Sequence, residues 1–399
     1  MTRREFMTLL TGATALPRSA QAQQPQPIDR QLASAVADKT IAGVVAMATD
    51  RKGVIYRGAF GTADAASGRP MTLDALFRIA SMTKAITSTA AMQQIEAGRF
   101  GLDDPVQKYL PDFAHLSVFD TFDGASGDYR LRPATRAVTV RHLMTHTSGF
   151  GYPFTSAVLR DYKPHAGDPP EPLLFEPGER WHYGTSTDWL GRLVERVSGE
   201  TLEAYFRRHI FDPLKMPDTF YNVPADKQAR LAAVHRRAPD GSIVKDQSHP
   251  PPTIATPIGG GGLASTADDY ARFLRMLLNG GELDGARVLS AATVELMSQN
   301  HIGTLGVPAL KSAMPERSAD FTFVADGRDK WGLGFLITAD HVPGKRSAGS
   351  LSWGGINNTY FWVDPTRGVA GVILMQFLPF ADPKALAVYD GFERGVYSL

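Results

Sequence analysis

A serine hydroxyl becomes a useful nucleophile only when a neighbouring base takes its proton. Ser81-Met82-Thr83-Lys84 offers that pairing. On a helix, side chains three positions apart share a face one turn apart. The Lys84 amine can then reach the Ser81 hydroxyl, and it works as a base only in its neutral form, which burial favours. A helix N-terminus also adds partial positive charge beside Ser81, where an oxyanion would form. The spacing alone says little, because a chain of this length holds about one S-x-x-K by chance. A second copy is indeed present, Ser242-Ile243-Val244-Lys245. It follows the turn Pro239-Asp240-Gly241 and carries two β-branched residues, so it reads as strand, where positions three apart point to opposite faces. Ser81 instead opens a helix after the apolar run Ala75 to Ala80.

Two more stretches are candidates for the same site. Tyr183 lies in the polar segment Glu179 to Asp188, just before a helix. A phenol there can relay a proton between nucleophile and leaving group; it can equally anchor the helix entry by packing. Ser352-Trp353-Gly354-Gly355-Ile356 precedes a strand. Its glycines let backbone pass close to a ligand. A backbone N–H there can join that of Ser81 as an oxyanion hole, and the plain alternative is an edge-strand turn.

These residues need elements to hold them. Ile28 to Val36 reads as a short helix, Ile41 to Thr49 and Val54 to Phe60 as strands joined by a turn, and Ser81 to Ala97 as a helix stopped by Gly98. From about Gly101 to Pro251 the chain is rich in Pro, Gly and Asp, with helices at Thr139 to Thr145, Asp188 to Ser198 and Thr201 to Phe211. Asp188 is the expected N-cap of the second of these. Gly259 to Gly262 reads as a flexible turn between lobes, and Thr266 to Leu278 as an amphipathic helix. Strands return at Thr359 to Val363 and Val369 to Phe377, and Asp382-Pro383 caps a last helix, Lys384 to Tyr389. The fold class expected is α/β (α+β), one antiparallel sheet built from both chain ends and flanked by helices. Residues 28–112 and 251–399 form this α/β domain and residues 113–250 an inserted, mostly helical domain, with a cleft between them for ligands.

Composition narrows the chemistry. The 399 residues are 43% hydrophobic and 21% charged with a net charge of +1, which gives no electrostatic footprint for nucleic acid. Cysteine is absent, which excludes disulfides, thiolate metal sites and a Cys nucleophile. His142 and His146 stand at zinc-like i, i+4 spacing but lack an adjacent glutamate, and read as loop organisers. Gly259 to Gly262 lacks the Lys-Ser/Thr of a phosphate loop, and no G-x-S-x-G elbow occurs. The reading calls for no cofactor and no metal. At the start, Arg3-Arg4, a short apolar stretch and Ala20-Gln21-Ala22 read as a twin-arginine signal peptide over residues 1–22. It is too short to span a bilayer, so a periplasmic or secreted protein without stable membrane insertion is expected, or a cytoplasmic one if the signal is unused.

The motifs together resemble the serine β-lactamase and penicillin-binding-protein superfamily, in its class C-like branch, and within it the family VIII carboxylesterases. The resemblance is carried by Phe77 to Lys84, His142 to Gly149, Pro177 to Tyr183, Gly259 to Thr266 and Ser352 to Pro365. These stand in family order over nearly the whole chain after the leader. The resemblance implies Ser81 as nucleophile, Lys84 as its base, Tyr183 as proton relay to the leaving group, and an oxyanion hole from the N–H groups of Ser81 and Ile356. Two departures bear on substrate. Thr185 holds the Asn position of Tyr-x-Asn, and Trp353-Gly354-Gly355 replaces Lys-Thr-Gly. The missing lysine would bind a substrate carboxylate, whereas a tryptophan offers an apolar wall. The expected function is a carboxylesterase for short- to medium-chain neutral esters, with Trp353, Gly354 and Gly355 against the substrate. A β-lactamase, a D-amino-acid amidase or peptidase and an acyltransferase share the machinery. A penicillin-binding-like receptor that is acylated without turnover is the rival that is not an enzyme.

Overall fold

Alternation of side chains along the strands decides the architecture. In the strand Gly43–Asp50 (β1), Val45 and Met47 enter one core while Val44, Ala46 and Ala48 enter another. Period-two geometry gives this result for a strand buried on both faces. The computed structural model describes residues 26–322 and 327–399; the expected leader at residues 1–22 lies outside them. Strands Val54–Asp64 (β2) and Arg69–Pro70 (β3) continue from β1. The other strands of the main sheet come from the far end of the chain: Lys330–Trp331 (β4), Leu336–Ile337 (β5), Leu351–Gly355 (β6), Thr359–Asp364 (β7) and Val369–Leu374 (β8). The order across the sheet is β4-β5-β6-β7-β8-β1-β2-β3, with antiparallel neighbours throughout. The two ends of the chain meet at β1 and β8, where Val45 lies opposite Leu374.

The helices that matter for the site are Pro27–Ala37 (α1), Thr83–Glu96 (α2), Val140–Thr145 (α3), Ser186–Ser198 (α4), Ala267–Leu278 (α5) and Pro383–Val396 (α6). Helices α1 and α6 cover one face of the sheet, packing Ile28, Leu32, Val388 and Phe392 on Tyr360, Trp362 and Ile373. Asp382 caps α6 by accepting from the N–H groups of Lys384 and Ala385 at 3.0 Å. This helix runs past Tyr389 to Val396, because Phe392 and Val396 extend its buried face. The opposite face carries α5, capped by Thr266, and beyond it α2. Helix α2 is buried along almost its whole length, so small residues (Ala85, Thr87, Ser88, Ala90, Ala91) fill the faces that meet α4 and the sheet layer.

Three local expectations change. The helix predicted from Ser81 starts at Thr83, and Ser81 sits in a preceding 3₁₀ turn, Ala80–Met82. Asp188 is not the N-cap of α4, whose cap position is Thr185; its carboxylate is drawn instead to the N–H of Gly260 at 2.6 Å. The middle of the chain also holds an antiparallel hairpin, Ser117–Phe122 with Tyr129–Pro133, besides its helices. The second S-x-x-K behaves as its sequence suggests. Ile243–Lys245 is a strand, Ser242 donates to Asp240 at 2.6 Å, and Lys245 pairs with Asp64 at 2.9 Å.

Candidate active site

The corner that presents Ser81 is built by its neighbours. Phe77–Arg78 pairs with Ala264–Ser265 as a short ladder, and the Ile79 N–H donates to the Leu263 carbonyl at 2.9 Å. The chain then turns sharply, with Ala80 in the left-handed region at φ 47°. For a residue with a Cβ this costs on the order of 1–2 kcal/mol, so the surroundings must impose it. They do so through hydrogen bonds. The Ile79 carbonyl accepts from the Met82 N–H at 3.1 Å and from Thr359 Oγ1 at 3.4 Å. The Met82 carbonyl accepts from Tyr270 at 3.0 Å, and the Arg78 carbonyl from Asn357 at 3.1 Å. Ser81 is left half-buried at the end of the corner, next to the N-terminus of α2.

Lys84 is only 2% exposed, so its amine must find partners inside. It donates to the Gly260 carbonyl at 2.7 Å and to the Tyr152 hydroxyl at 3.1 Å, with Ser81 Oγ at 3.4 Å. A neutral amine has two N–H donors and one lone pair. Two donors suffice for Gly260 and Tyr152, so an amine that has given up its proton keeps a lone pair facing Ser81. The Ser81 contact is the longest of the three.

Tyr183 stands beside this amine but shows it a ring face, with the Lys84 nitrogen 4.9 Å from the ring centroid. Its hydroxyl accepts from Trp353 Nε1 at 3.4 Å. The phenol bonded to Lys84 is that of Tyr152, a residue the sequence reading passed over. Gly151-Tyr152-Pro153 has the composition of an ordinary turn, and only the fold brings it across to α2. Burial, then the nearby charge of Asp188, holds the Tyr152 phenol well above its ordinary value. It stays protonated at neutral pH and can take part in a proton relay with Lys84.

The tryptophan-glycine stretch closes the site from the sheet side. Trp353 is 3% exposed, and its ring lies 4.9 Å from Tyr183 and 4.7 Å from Trp331. It is therefore a wall behind Tyr183. A Cβ on Gly354 would meet the Tyr360 ring at 2.7 Å, and one on Gly355 would sit 2.2 Å from the Ile79 carbonyl oxygen. The close neighbour that needs these glycines is the protein itself. Because Gly355 presses on Ile79, the turn that starts at Ile356 begins next to the Ser81 corner.

The glycine run is not the flexible link expected of it. The Gly259 carbonyl accepts from Thr87 Oγ1 at 2.7 Å, the Gly260 carbonyl from Lys84, and the Gly260 N–H donates to Asp188. The two histidines serve separate local structures. His142 Nδ1 accepts from the Thr139 N–H at 3.2 Å at the start of α3, while His146 ends that helix in the left-handed conformation. The His146 ring is packed among Tyr183, Trp331 and Trp181 at 5.0 to 6.1 Å. Burial, then the charge of Lys84, holds it well below its ordinary value, so it is neutral and supports the aromatic wall.

Comparison with known proteins gives a consistent result. The model of the beta-lactamase family matches residues 28–391. The chain is 32% identical to monacolin J acid methylbutanoyltransferase of Aspergillus terreus, over 91% of this chain and 93% of that protein. It is also 32% identical to lovastatin esterase of Penicillium rubens, over 93% of this chain and 98% of that one. Its structure matches unliganded simvastatin synthase of Aspergillus terreus with a TM-score of 0.81 at 30% identity, covering 93% of this chain and 97% of the other.

Proposed function

The chain belongs to the beta-lactamase family of serine hydrolases, and from that premise we propose that it acts on carboxylic esters through an acyl-enzyme on Ser81. Lys84 takes the Ser81 proton as the oxygen attacks the ester carbonyl. The N–H groups of Ser81 and Ile356 hold the resulting oxyanion. As the tetrahedral species collapses, the proton passes to the leaving alkoxide through Tyr183, with Tyr152 bonded to the same amine. A water molecule then gives its proton to the same groups, attacks the acyl-enzyme, and releases the acid and free Ser81. The observation that carries this reading is the setting of Lys84: a buried amine held by the Gly260 carbonyl and the Tyr152 hydroxyl within 3.4 Å of Ser81 Oγ.

Substrate class follows from the residue that β6 places behind Tyr183. Trp353 occupies the position where a lysine would meet a substrate carboxylate, and it is locked among Tyr183 and Trp331. Neutral esters of short to medium acyl chains suit such a site better than β-lactams, the preference expected of a family VIII carboxylesterase. Acyl transfer is the second reading, supported by the relative named as a methylbutanoyltransferase. An alcohol would then replace water in the second step, with the same residues in the same roles. Arg3-Arg4 and Ala20-Gln21-Ala22 extend the proposal to export from the cytoplasm; an Arg3→Lys, Arg4→Lys chain that still leaves the cytoplasm would remove that part.

The test is hydrolysis of p-nitrophenyl acetate, butyrate and octanoate beside a chromogenic cephalosporin, for wild type and Ser81→Ala, with and without an added alcohol. Ester turnover that needs Ser81 and exceeds cephalosporin cleavage is expected. Efficient cephalosporin cleavage with slow ester turnover would make this a β-lactamase. New ester formed at the expense of free acid would favour the transferase.

A further inference from the structure

We infer that Asp188 is a positioning residue for Lys84, acting through the Gly259–Gly262 strip. The inference rests on the Ser81 acyl-enzyme reading and adds a residue to it. Asp188 is the third residue of α4, five positions after Tyr183. An acidic side chain there commonly serves its own helix start. This one leaves the helix to accept from the Gly260 N–H at 2.6 Å, and the carbonyl of the same Gly260 accepts from Lys84 at 2.7 Å. One residue thus links a carboxylate on α4 to an amine on α2.

The strip is held from both sides. Thr87, one turn after Lys84 on α2, fixes the Gly259 carbonyl at 2.7 Å. A Cβ on Gly259 would lie 2.2 Å from the Thr187 carbonyl oxygen, and one on Gly260 would lie 2.5 Å from Asp188 Oδ1 and 3.0 Å from the Tyr152 hydroxyl. The backbone therefore has no slack, and the Gly260 carbonyl cannot drift while Asp188 holds its N–H. The indirect link has a chemical point. A carboxylate bonded straight to the amine would keep a proton on it, whereas a peptide carbonyl offers a neutral acceptor that steers the amine without a full opposite charge in contact.

The experiment compares Asp188→Ala, Asp188→Asn, Gly260→Ala and the Asp188→Ala/Gly260→Ala double variant with wild type. It measures kcat and KM for p-nitrophenyl butyrate, the rate of Ser81 labelling by a fluorophosphonate, and the melting temperature. Displacing a catalytic group by about 1 Å costs on the order of 10²-fold. Asp188→Ala is expected to lose about that much in kcat and in labelling rate, with KM within about threefold. Asn retains an oxygen for the Gly260 N–H, so it should restore kcat to within about tenfold of wild type. The double variant should be no worse than the poorer single one, since both break the same link. Where Asp188→Ala melts below the assay temperature, the Asn and Gly260→Ala variants carry the test by the same comparison. Wild-type kcat in Asp188→Ala, or an Asn variant as damaged as Ala with losses that multiply in the double variant, would overturn the inference. Turnover that survives Ser81→Ala is a different failure, because it removes the acyl-enzyme reading itself.

Discussion

Lys84 and Lys245 each follow a serine by three residues, yet the chain uses them in opposite ways. Lys84 lies on a helix that is buried along its length, and its amine meets a carbonyl, a phenol and the serine hydroxyl. Lys245 lies on a short strand and reaches sideways to Asp64, while Ser242 turns back to Asp240. Among the described residues the first lysine has no carboxylate bonded to its amine, and the second has one at 2.9 Å. The spacing is the same, so the chemistry belongs to the surroundings. A helix puts i and i+3 together, a strand parts them, and a contacting carboxylate turns a lysine into a structural cation.

The comparison breaks first at the serines. Ser81→Ala should drop ester turnover by about 10⁴-fold or more, while Ser242→Ala should leave it unchanged; equal effects in a steady-state assay would end the distinction. Lys84→Met should cost about 10³-fold in kcat, with Lys245→Met at the wild-type rate. The tyrosines sharpen the picture further. Tyr183→Phe is expected to lower kcat by about 10²-fold and Tyr152→Phe by about tenfold, and the reverse ranking would move the relay to Tyr152. The smallest effect concerns stability. Burial pushes the Asp64 carboxyl up, but bonds from Lys245 and the Ala66 N–H outweigh it and hold the group below its ordinary value. A lowered carboxyl stabilises the fold above its unfolded value near 4 and loses that contribution as pH falls through its folded value. Lys245→Met should therefore cost at most about 1 kcal/mol at pH 7, given solvent screening of this pair. The difference from wild type in urea midpoint should shrink below about pH 4.

The parts of the molecule that sequence made readable are those governed by local rules. The strands at Gly43–Asp50 and Val369–Leu374, the helices that begin at Thr139 and Thr266, the cap at Asp382 and the helical setting of Lys84 all follow from alternation, capping and spacing. What escaped depends on contacts between distant segments. Tyr152 is remote from Lys84 in sequence and reaches it only because α2 and the loop after α3 converge. Asp188 looked like a helix cap because nothing in its own segment shows that Gly260 will lie alongside. The left-handed Ala80 was hidden for a similar reason, since alanine does not advertise φ 47° and only the bonds to Thr359, Tyr270 and Asn357 enforce it.

The pairing of β1 with β8 sets a timetable for the growing polypeptide. As synthesis proceeds from the N-terminus, β1 and β2 can close at once as a local hairpin, but the outer edge of β1 waits for a partner, Val369–Leu374, that is made only after the whole middle of the chain. Until then a strand of Val, Ala and Met presents unpaired amides and carbonyls, the condition under which chains associate edge to edge. Long-range closure of this kind is slow, so recovery of native enzyme from a host cell should depend on temperature and chaperone supply more than on the stability of the finished sheet.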